Sequence, residues 1–403
     1  MKVLQINAVY KKSSTGRTTS EMHEYMIKNG IESYVASPDL ADLKENAYQI
    51  SSEFDMKLHA FMSRLTGLQG YFSKYHTHKL IKYIKKTVPD VIHLRNLHGN
   101  YINLKMLLKY IALKDIALVV TLHDCWLYTG KCCHYLGDNC DKWQSTCGNC
   151  PALKKYNTSW FFERSKKMQR DKAKWFSRIK KLGVIGVSSW VTNDSKKSTV
   201  LKNAKIHKTI YNWIDLDFFT PARSGNIIKD DDKFIILGIA QNWSEAKGVN
   251  LFLELSKLIG DDCEIIMVGN PNGYQGNDKI KFVGSTDNVE QLAQYYARAD
   301  VFINPSILET FGKTTAEAMA SGTPTIAFNS TATPEILGTD GLCGYLVDEN
   351  IASAYLEKIN LIKEKGKGYY SSNCRSRAES MFEKDTNICE YINLYNELVK
   401  GDI

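Results

Sequence analysis

The chain has 403 residues, 43% hydrophobic and 24% charged, with a formal net charge of +8. That length exceeds one ordinary core and fits two domains of about 200 residues each. The composition is that of a globular protein, no stretch reaches the roughly eighteen apolar residues of a membrane-spanning helix, and so modest a charge gives no footing for a nucleic-acid partner.

Lys2 to Ala8 is a near-continuous apolar run of the kind that forms a parallel strand covered on both faces. The N-terminus turns polar too soon for a secretory signal, so a cytoplasmic location is expected. A small-residue loop, Lys11 to Arg17, precedes a helix running to Asn29-Gly30. Strand, glycine-containing loop and helix in that order deliver backbone amides to a phosphate, which makes Gly16 and Arg17 site candidates. Further strands are expected at Ser33 to Ala36, Asp90 to Leu94, Ala117 to Leu122 and Gly183 to Val187, alternating with helical segments. Leu40 to Ser52 has no period and reads as a loop, and Phe54 to Lys86 mixes apolar and basic residues at helical spacing. The alternation predicts a doubly wound parallel sheet.

Two histidines close strands of that sheet at the edge where such folds present functional groups: His98 in Leu97-His-Gly-Asn-Tyr101 and His123 in Thr121-Leu-His-Asp124. A histidine there can orient hydroxyls or carry a proton, and His98 is assigned to an acceptor. Six of the ten cysteines then fall between Cys125 and Cys150. A pair spaced by two residues, Cys147 and Cys150, with two further thiols can complete a tetrahedral zinc site. The ligand set is Cys132, Cys140, Cys147 and Cys150, with Cys133 and His134 as substitutes; buried free thiols or disulfides are the competing readings. Phe161 to Leu182 carries nine Lys or Arg against two acids. At helical pitch Phe161, Met168, Trp175, Ile179 and Leu182 share one face, which packs on the protein's own core or rests on an anionic membrane surface.

Lys208 to Leu216 reads as an interdomain connection. A second alternating block has strands at Lys233 to Gly238, Glu264 to Val268, Lys281 to Val283, Asp300 to Asn304, Thr325 to Phe328 and Gly344 to Val347. Helices follow at Ile351 to Glu364, Tyr369 to Met381 and Asp385 to Lys400. After the first of these strands, Asn242-Trp-Ser-Glu-Ala-Lys247-Gly248 places a lysine at the start of a helix, where it can neutralise a diphosphate. Between the strands at Asp300 and Thr325 lies Ile307-Leu-Glu-Thr-Phe-Gly-Lys-Thr-Thr-Ala-Glu-Ala-Met-Ala-Ser-Gly-Thr-Pro324. Here Phe311-Gly312-Lys313 is the backbone entering a helix from Thr314 to Ala320, and its outward amides suit an anion or polar ligand.

That stretch resembles the signature of the retaining family-4 glycosyltransferases, Glu, seven residues, Glu in this setting. The resemblance implies a GT-B architecture, two Rossmann-like domains facing across a cleft: residues 1–212 with the Cys-rich insertion 125–151, residues 213–384, and a last helix, 385–403, returning to the first domain. It implies that Glu309 binds hydroxyls of the donor sugar, Glu317 the ribose, and Gly16, Arg17, Lys247, Phe311, Gly312 and Lys313 the rest of the donor, a UDP- or GDP-sugar. His123 stands where the family has a residue beside the sugar, so His123 and Glu309 form the expected catalytic pair. The family usually has an arginine five or six residues before the lysine; this chain has Gln241 and Asn242. Pro334-Glu335 matches a further family feature near the donor. The insertion is similar to one in bacterial surface-polysaccharide enzymes. The implied activity is transfer to a polyprenyl-linked saccharide on the inner membrane face, with no catalytic divalent metal. A nucleotide-sugar 2-epimerase and a non-catalytic sugar-nucleotide-binding protein are the alternatives.

Overall fold

A computed structural model describes residues 1–40, 46–155, 157–223, 233–286 and 288–401. The chain divides into two units, Met1–Ile210 with Asp385–Ile403, and Tyr211–Lys384.

The first unit runs β1 (Lys2–Ile6), α1 (Ser13–Lys28), β2 (Glu32–Ser37), β3 (Ala47–Gln49), α2 (Glu53–Thr66), α3 (Lys74–Thr87) and β4 (Val91–Leu94). It continues with α4 (Leu104–Lys114), β5 (Ala117–Leu122), α5 (Ser165–Phe176), β6 (Leu182–Gly186), α6 (Ser189–Lys197) and β7 (Ile206–Thr209). The second unit has β8 (Phe234–Asn242), α7 (Val249–Leu255), β9 (Cys263–Asn270), β10 (Ile280–Val283), α8 (Val289–Arg298), β11 (Val301–Asn304) and α9 (Lys313–Ala320). It ends with β12 (Thr325–Phe328), α10 (Thr333–Leu337), β13 (Gly344–Val347), α11 (Ala352–Lys365) and α12 (Lys367–Phe382). The last helix, α13 (Lys384–Lys400), returns its apolar side to the first unit.

The sheet orders are β3-β2-β1-β4-β5-β6-β7 and β10-β9-β8-β11-β12-β13, and the pairing within each is parallel. Each sheet is wound outward in both directions from one point, between β1 and β4 in the first unit and between β8 and β11 in the second. The chain leaves the carboxyl ends towards opposite faces there, and in this class of sheet that edge is where ligands bind. The apolar runs are buried on both faces, as β5 and β6 demonstrate with every residue inside.

Two expectations change. Leu40 to Ser52 is not all loop: Ala47–Gln49 pairs with β2, while residues 41–45 lie outside the described residues. The basic amphipathic segment is not one helix either. Only Ser165–Phe176 is helical, and Leu182 already belongs to β6. Met168, Trp175, Ile179 and Leu182 are buried in the first unit's core, whereas Phe161 lies before the helix and is 68% exposed. The stripe therefore packs on its own core, because burying four large side chains there is worth several kcal/mol, at roughly 1.5–3 kcal/mol each.

Candidate active site

In the second unit, the loops after β8 and β11 meet at the switch point. Gly248 has φ of +77°, and a Cβ there would lie 2.3 Å from Pro305 Cγ. Only glycine lets the β8 loop close onto the β11 loop, and that approach carries Lys247 to its partners. Lys247 Nζ lies 3.4 Å from both Glu309 Oε1 and Ser306 Oγ. Asn304, at the end of β11, braces the same loop: its side-chain amide donates to Thr315 Oγ1 at 3.1 Å, and its carbonyl accepts from the Ser306 amide. The Glu309 amide donates to Thr331 Oγ1 at 3.0 Å. Glu309 stays partly open to solvent, its side chain 18% exposed, and Lys247 more so at 46%.

Gly312, at φ +90°, turns the chain into α9, whose N-terminus has no side-chain cap. Its first amides are therefore available to a ligand. Lys313 is half-buried in that first turn. The Phe311 ring, in contrast, is only 3% exposed, set edge-on to Phe382 at 5.3 Å and near Tyr211. Phe311 anchors the turn through packing and offers a ligand only its backbone. Glu317 is 5% exposed, and Oε2 accepts from the Tyr296 hydroxyl at 3.2 Å. Burial, and then the Glu317 carboxylate, hold the Tyr296 phenol well above its usual range. Gln241 and Asn242 are exposed at the end of β8, where Asn242 Oδ1 accepts from Asn270; they supply no charge at the arginine position. Glu335, in α10, accepts from the Tyr211 hydroxyl at 3.1 Å.

The first unit's switch point is built differently. Gly16 is not in a loop but inside the first turn of α1, buried, where its carbonyl accepts from the Lys11 amide. A Cβ on it would come within 3.2 Å of Lys11 N, so the loop after β1 folds back against the helix. Arg17 is half-buried one residue on. His123 follows β5, and its Nε2 lies 3.5 Å from Nη1 of Arg95, at the outer limit of a hydrogen bond. Since a guanidinium only donates, Nε2 is the acceptor in that contact.

Arg95 was not foreseen. It follows β4, is 1% exposed, and its other contacts are Thr18 Oγ1 at 3.3 Å, Met22 Sδ and the face of the Tyr391 ring. Beneath it runs a buried chain in which Tyr395 donates to His93 Nδ1 (2.7 Å), His93 Nε2 to Thr121 Oγ1 (2.7 Å), and Thr121 to Tyr391. Burial, with Arg95 and His123 nearby, holds the His93 imidazole well below its usual pKa and therefore neutral. The only sequence signal for Arg95 was a cation directly after an apolar strand.

His98 Nε2 sits 2.9 Å from Asp124 Oδ2, while Asp124 Oδ1 accepts from the Trp126 amide at 2.7 Å. Burial pulls His98 towards its neutral form, but the Asp124 carboxylate leaves its pKa above the usual value. For Asp124 burial opposes ionisation, yet His98 and the Trp126 amide hold it below the usual range. The four predicted cysteine ligands line one small cavity after β5. The hydrogen bond between the Cys132 and Cys150 thiols raises the pKa of the former and lowers that of the latter. Among the described residues, three ligand-type atoms within 4.8 Å of one another occur at His98, Asp124 and Cys133, not among those thiols. A cavity of about 650 Å³ lies at the opposite, amino-terminal edge of the first sheet, lined by Asp90, Ala117 and Lys181, away from all of these groups.

Two parallel sheets, each wound from a switch point, define a two-domain α/β protein, and comparison with known proteins identifies its family. Residues 15–218 match the family described as Glycosyltransferase Family 4, and residues 222–381 match Glycosyl transferases group 1. The chain is 22% identical over 423 residues to the colanic acid biosynthesis glycosyl transferase WcaC of Escherichia coli (strain K12), covering 99% of this chain and all of that one. It is 30% identical over 200 residues to an MMP alpha-(1->4)-mannosyltransferase of Mycolicibacterium hassiacum, spanning 46% of this chain and 47% of that protein. Its fold is similar to that of sucrose-phosphate synthase from Thermosynechococcus elongatus, with a TM-score of 0.71 at 16% identity over 99% of both chains. It is also similar to Anabaena HepE in complex with UDP, with a TM-score of 0.65 at 16% identity over 98% and 100%. The fold is GT-B, and the chain belongs to glycosyltransferase family 4.

Proposed function

We propose that this glycosyltransferase moves a sugar with retention from a nucleotide diphosphate donor, a UDP- or GDP-sugar, to a polyprenyl-linked saccharide in the assembly of a bacterial surface polysaccharide. The observation that carries the reading is the pairing of Lys247 with Glu309 at the switch point of the second unit, 3.4 Å apart. A donor would part them, the lysine going to its diphosphate and the carboxylate to sugar hydroxyls. Glu317 would accept from the ribose, with Gly312, Lys313 and the amides of α9 beside the phosphates. Gly16 and Arg17 would serve the diphosphate from the first unit, and His123 the sugar. With lysine, arginine and uncapped amides to stabilise the departing diphosphate, the reading requires no divalent cation. His98, paired with Asp124, is assigned to the acceptor. HepE was crystallised with UDP and with UDP-glucose, and relatives include WcaC and, at 36% identity over 77 residues, an Escherichia coli O-antigen chain mannosyltransferase B.

The working location we infer is the cytoplasmic face of the membrane, by peripheral attachment. No helix among the described residues is long and apolar enough to cross a membrane. The attachment surface is not the buried stripe of α5 but its surroundings. Lys105, Lys109, Lys167, Lys174 and Arg178 line a groove of about 510 Å³. On the same unit Trp160, Phe161 and Phe162 are exposed, with Phe61 of α2 edge-on to Trp160 at 5.8 Å. Each basic residue near an anionic surface is worth about 1 kcal/mol, so several give reversible binding. Sedimentation with anionic liposomes should recover the chain in the pellet at low salt and release it at high salt; equal recovery in the supernatant at both would end this inference.

The activity test is incubation of the full chain with nucleotide sugars, with and without a polyprenyl-diphosphate-linked saccharide. Nucleotide release should depend on acceptor, and the product anomer, read by NMR, should match the donor's. Donor turnover that is indifferent to acceptor would make the protein an epimerase. Donor-induced thermal stabilisation without any turnover would make it a binding protein.

A further inference from the structure

The Cys-rich loop after β5 is absorbed by no step of the proposed transfer, yet it is the most heavily organised segment outside the sheets. Cys132, Cys140, Cys147 and Cys150 border one cavity of about 10 Å³, room for one water-sized guest. All four are free thiols. Cys147-Gly-Asn-Cys150 forms a tight knuckle in which Asn149 has φ of +46°. Gly130 lets the backbone come close to the Cys147 sulfur, because a Cβ there would lie 2.9 Å from Cys147 Sγ and 2.7 Å from the Ser165 carbonyl oxygen.

The surroundings carry the stronger argument. Lys131 and Lys172 are 4% and 1% exposed, and both ammonium groups face the thiols. Their hydrogen bonds go to backbone carbonyls, Lys131 to Leu153 and Asn157, and Lys172 to Trp126 and Thr129. Burial disfavours the charged form of both lysines, and Asp124 near Lys172 and Glu163 near Lys131 offset that only in part. A divalent ion held by four thiolates bears a net double negative charge, which two ammonium groups balance. The tighter trio of His98, Asp124 and Cys133 is a poorer metal site. Asp124 already accepts from His98 and Trp126, and Asn157 donates to the Cys133 sulfur at 3.4 Å.

We propose that Cys132, Cys140, Cys147 and Cys150 hold one structural zinc ion, which draws Cys140 and Cys147 onto the Cys132–Cys150 pair. Binding replaces four thiol protons, which pass to solvent, and involves no oxidation. Four protein ligands leave no open position, so the ion is structural and takes no part in the transfer. Its mechanical effect reaches the active edge. The loop it closes is cinched at its base by the Cys125 amide on the Cys133 carbonyl, and tied to α5 through Gln169, which bonds the Cys147 amide and the Trp143 carbonyl. Asp124, the partner of His98, begins this loop.

Full-length protein purified under reducing conditions without added metal should contain about one zinc per chain by elemental analysis. Cys147→Ser and Cys150→Ser should each weaken zinc retention by about tenfold or more, a loss of the size ligand-shell changes bring, while Cys263→Ser and Cys389→Ser should retain it in full. Because loop variants can fail to fold, the wild-type chain stripped by chelator and refilled with cobalt(II) is the second measurement. It should show the strong visible bands of a tetrahedral tetrathiolate. The proposal is overturned by zinc-free protein with all ten thiols titratable, by zinc-free protein with thiols lost to disulfides, or by cobalt protein lacking those bands.

Discussion

The two switch points of this enzyme solve the same problem by different means. In the second unit the edge is set by backbone: Gly248 and Gly312, both at positive φ, aim the loops, and Phe311 locks the turn from beneath. In the first unit the edge is set by a buried polar chain, Arg95 over His93, Thr121, Tyr391 and Tyr395, drawn from β4, β5 and α13. A backbone-built edge tolerates exposure of its working groups, Lys247 and Glu309. An edge built on hydrogen bonds depends on its partners, because an unsatisfied buried group costs about 1–3 kcal/mol, and Arg95 Nε already has none among the described residues.

The comparison can be broken most forcefully in the second unit. Phe311→Ala should lower stability by about 3–5 kcal/mol, as loss of a fully buried aromatic does, measured by chemical denaturation. A change below about 1 kcal/mol would mean that packing does not hold the turn. In the first unit Arg95→Met separates position from stability. Replacing a buried cation by an apolar chain of similar length should leave the melting temperature unchanged or higher. Turnover should fall about 10²-fold, with a shifted pH profile, because His123 Nε2 loses a cationic neighbour that helps to position it. Unchanged turnover would remove Arg95 from the positioning machinery.

Next in size, Glu317→Ala should weaken nucleotide binding by roughly 1.5–3 kcal/mol, whereas Glu309→Ala should slow transfer and spare free-nucleotide affinity; calorimetry with the nucleotide alone distinguishes them. Tyr395→Phe should cost about 1–2 kcal/mol by leaving His93 Nδ1 unsatisfied, and it should do so without moving nucleotide affinity.

The smallest effect is carried by pH. His98 has a raised pKa, so its share of stability is complete below the usual histidine value of about 6.5 and is lost as pH rises through the raised one. Asp124 has a lowered pKa, so its share is complete above about 3.9 and is lost as pH falls through the lowered one. The gap in denaturation midpoint between wild type and His98→Gln should therefore be open near about pH 5 and closed near about pH 9. A gap that widens with pH would contradict the pairing.

How much of this was readable in the chain follows the same division. Lys247, Glu309 and Gly312 announced themselves because local sequence decides a strand, a turn and a helix start, and a glycine at positive φ is a local requirement. The insertion's cysteines were visible by spacing for the same reason. Arg95, His93, Thr121 and Tyr395 were not, since their meaning lies in contacts up to 373 positions apart. The stripe through α5 left two readings open for a related reason: periodicity says which residues share a face, not what covers it.

By itself, then, the sequence determined the alternation that makes two parallel sheets, the two loops at the second unit's switch point, and the family. Apolar period, glycine placement and turn chemistry are short-range facts. Only the tertiary structure decided which side chains remain open at each edge, that Phe311 is an anchor, that His123 is held by a buried arginine, and that two buried lysines face the thiols. Those outcomes depend on burial, and burial is a property of the whole packed unit that no window of sequence contains.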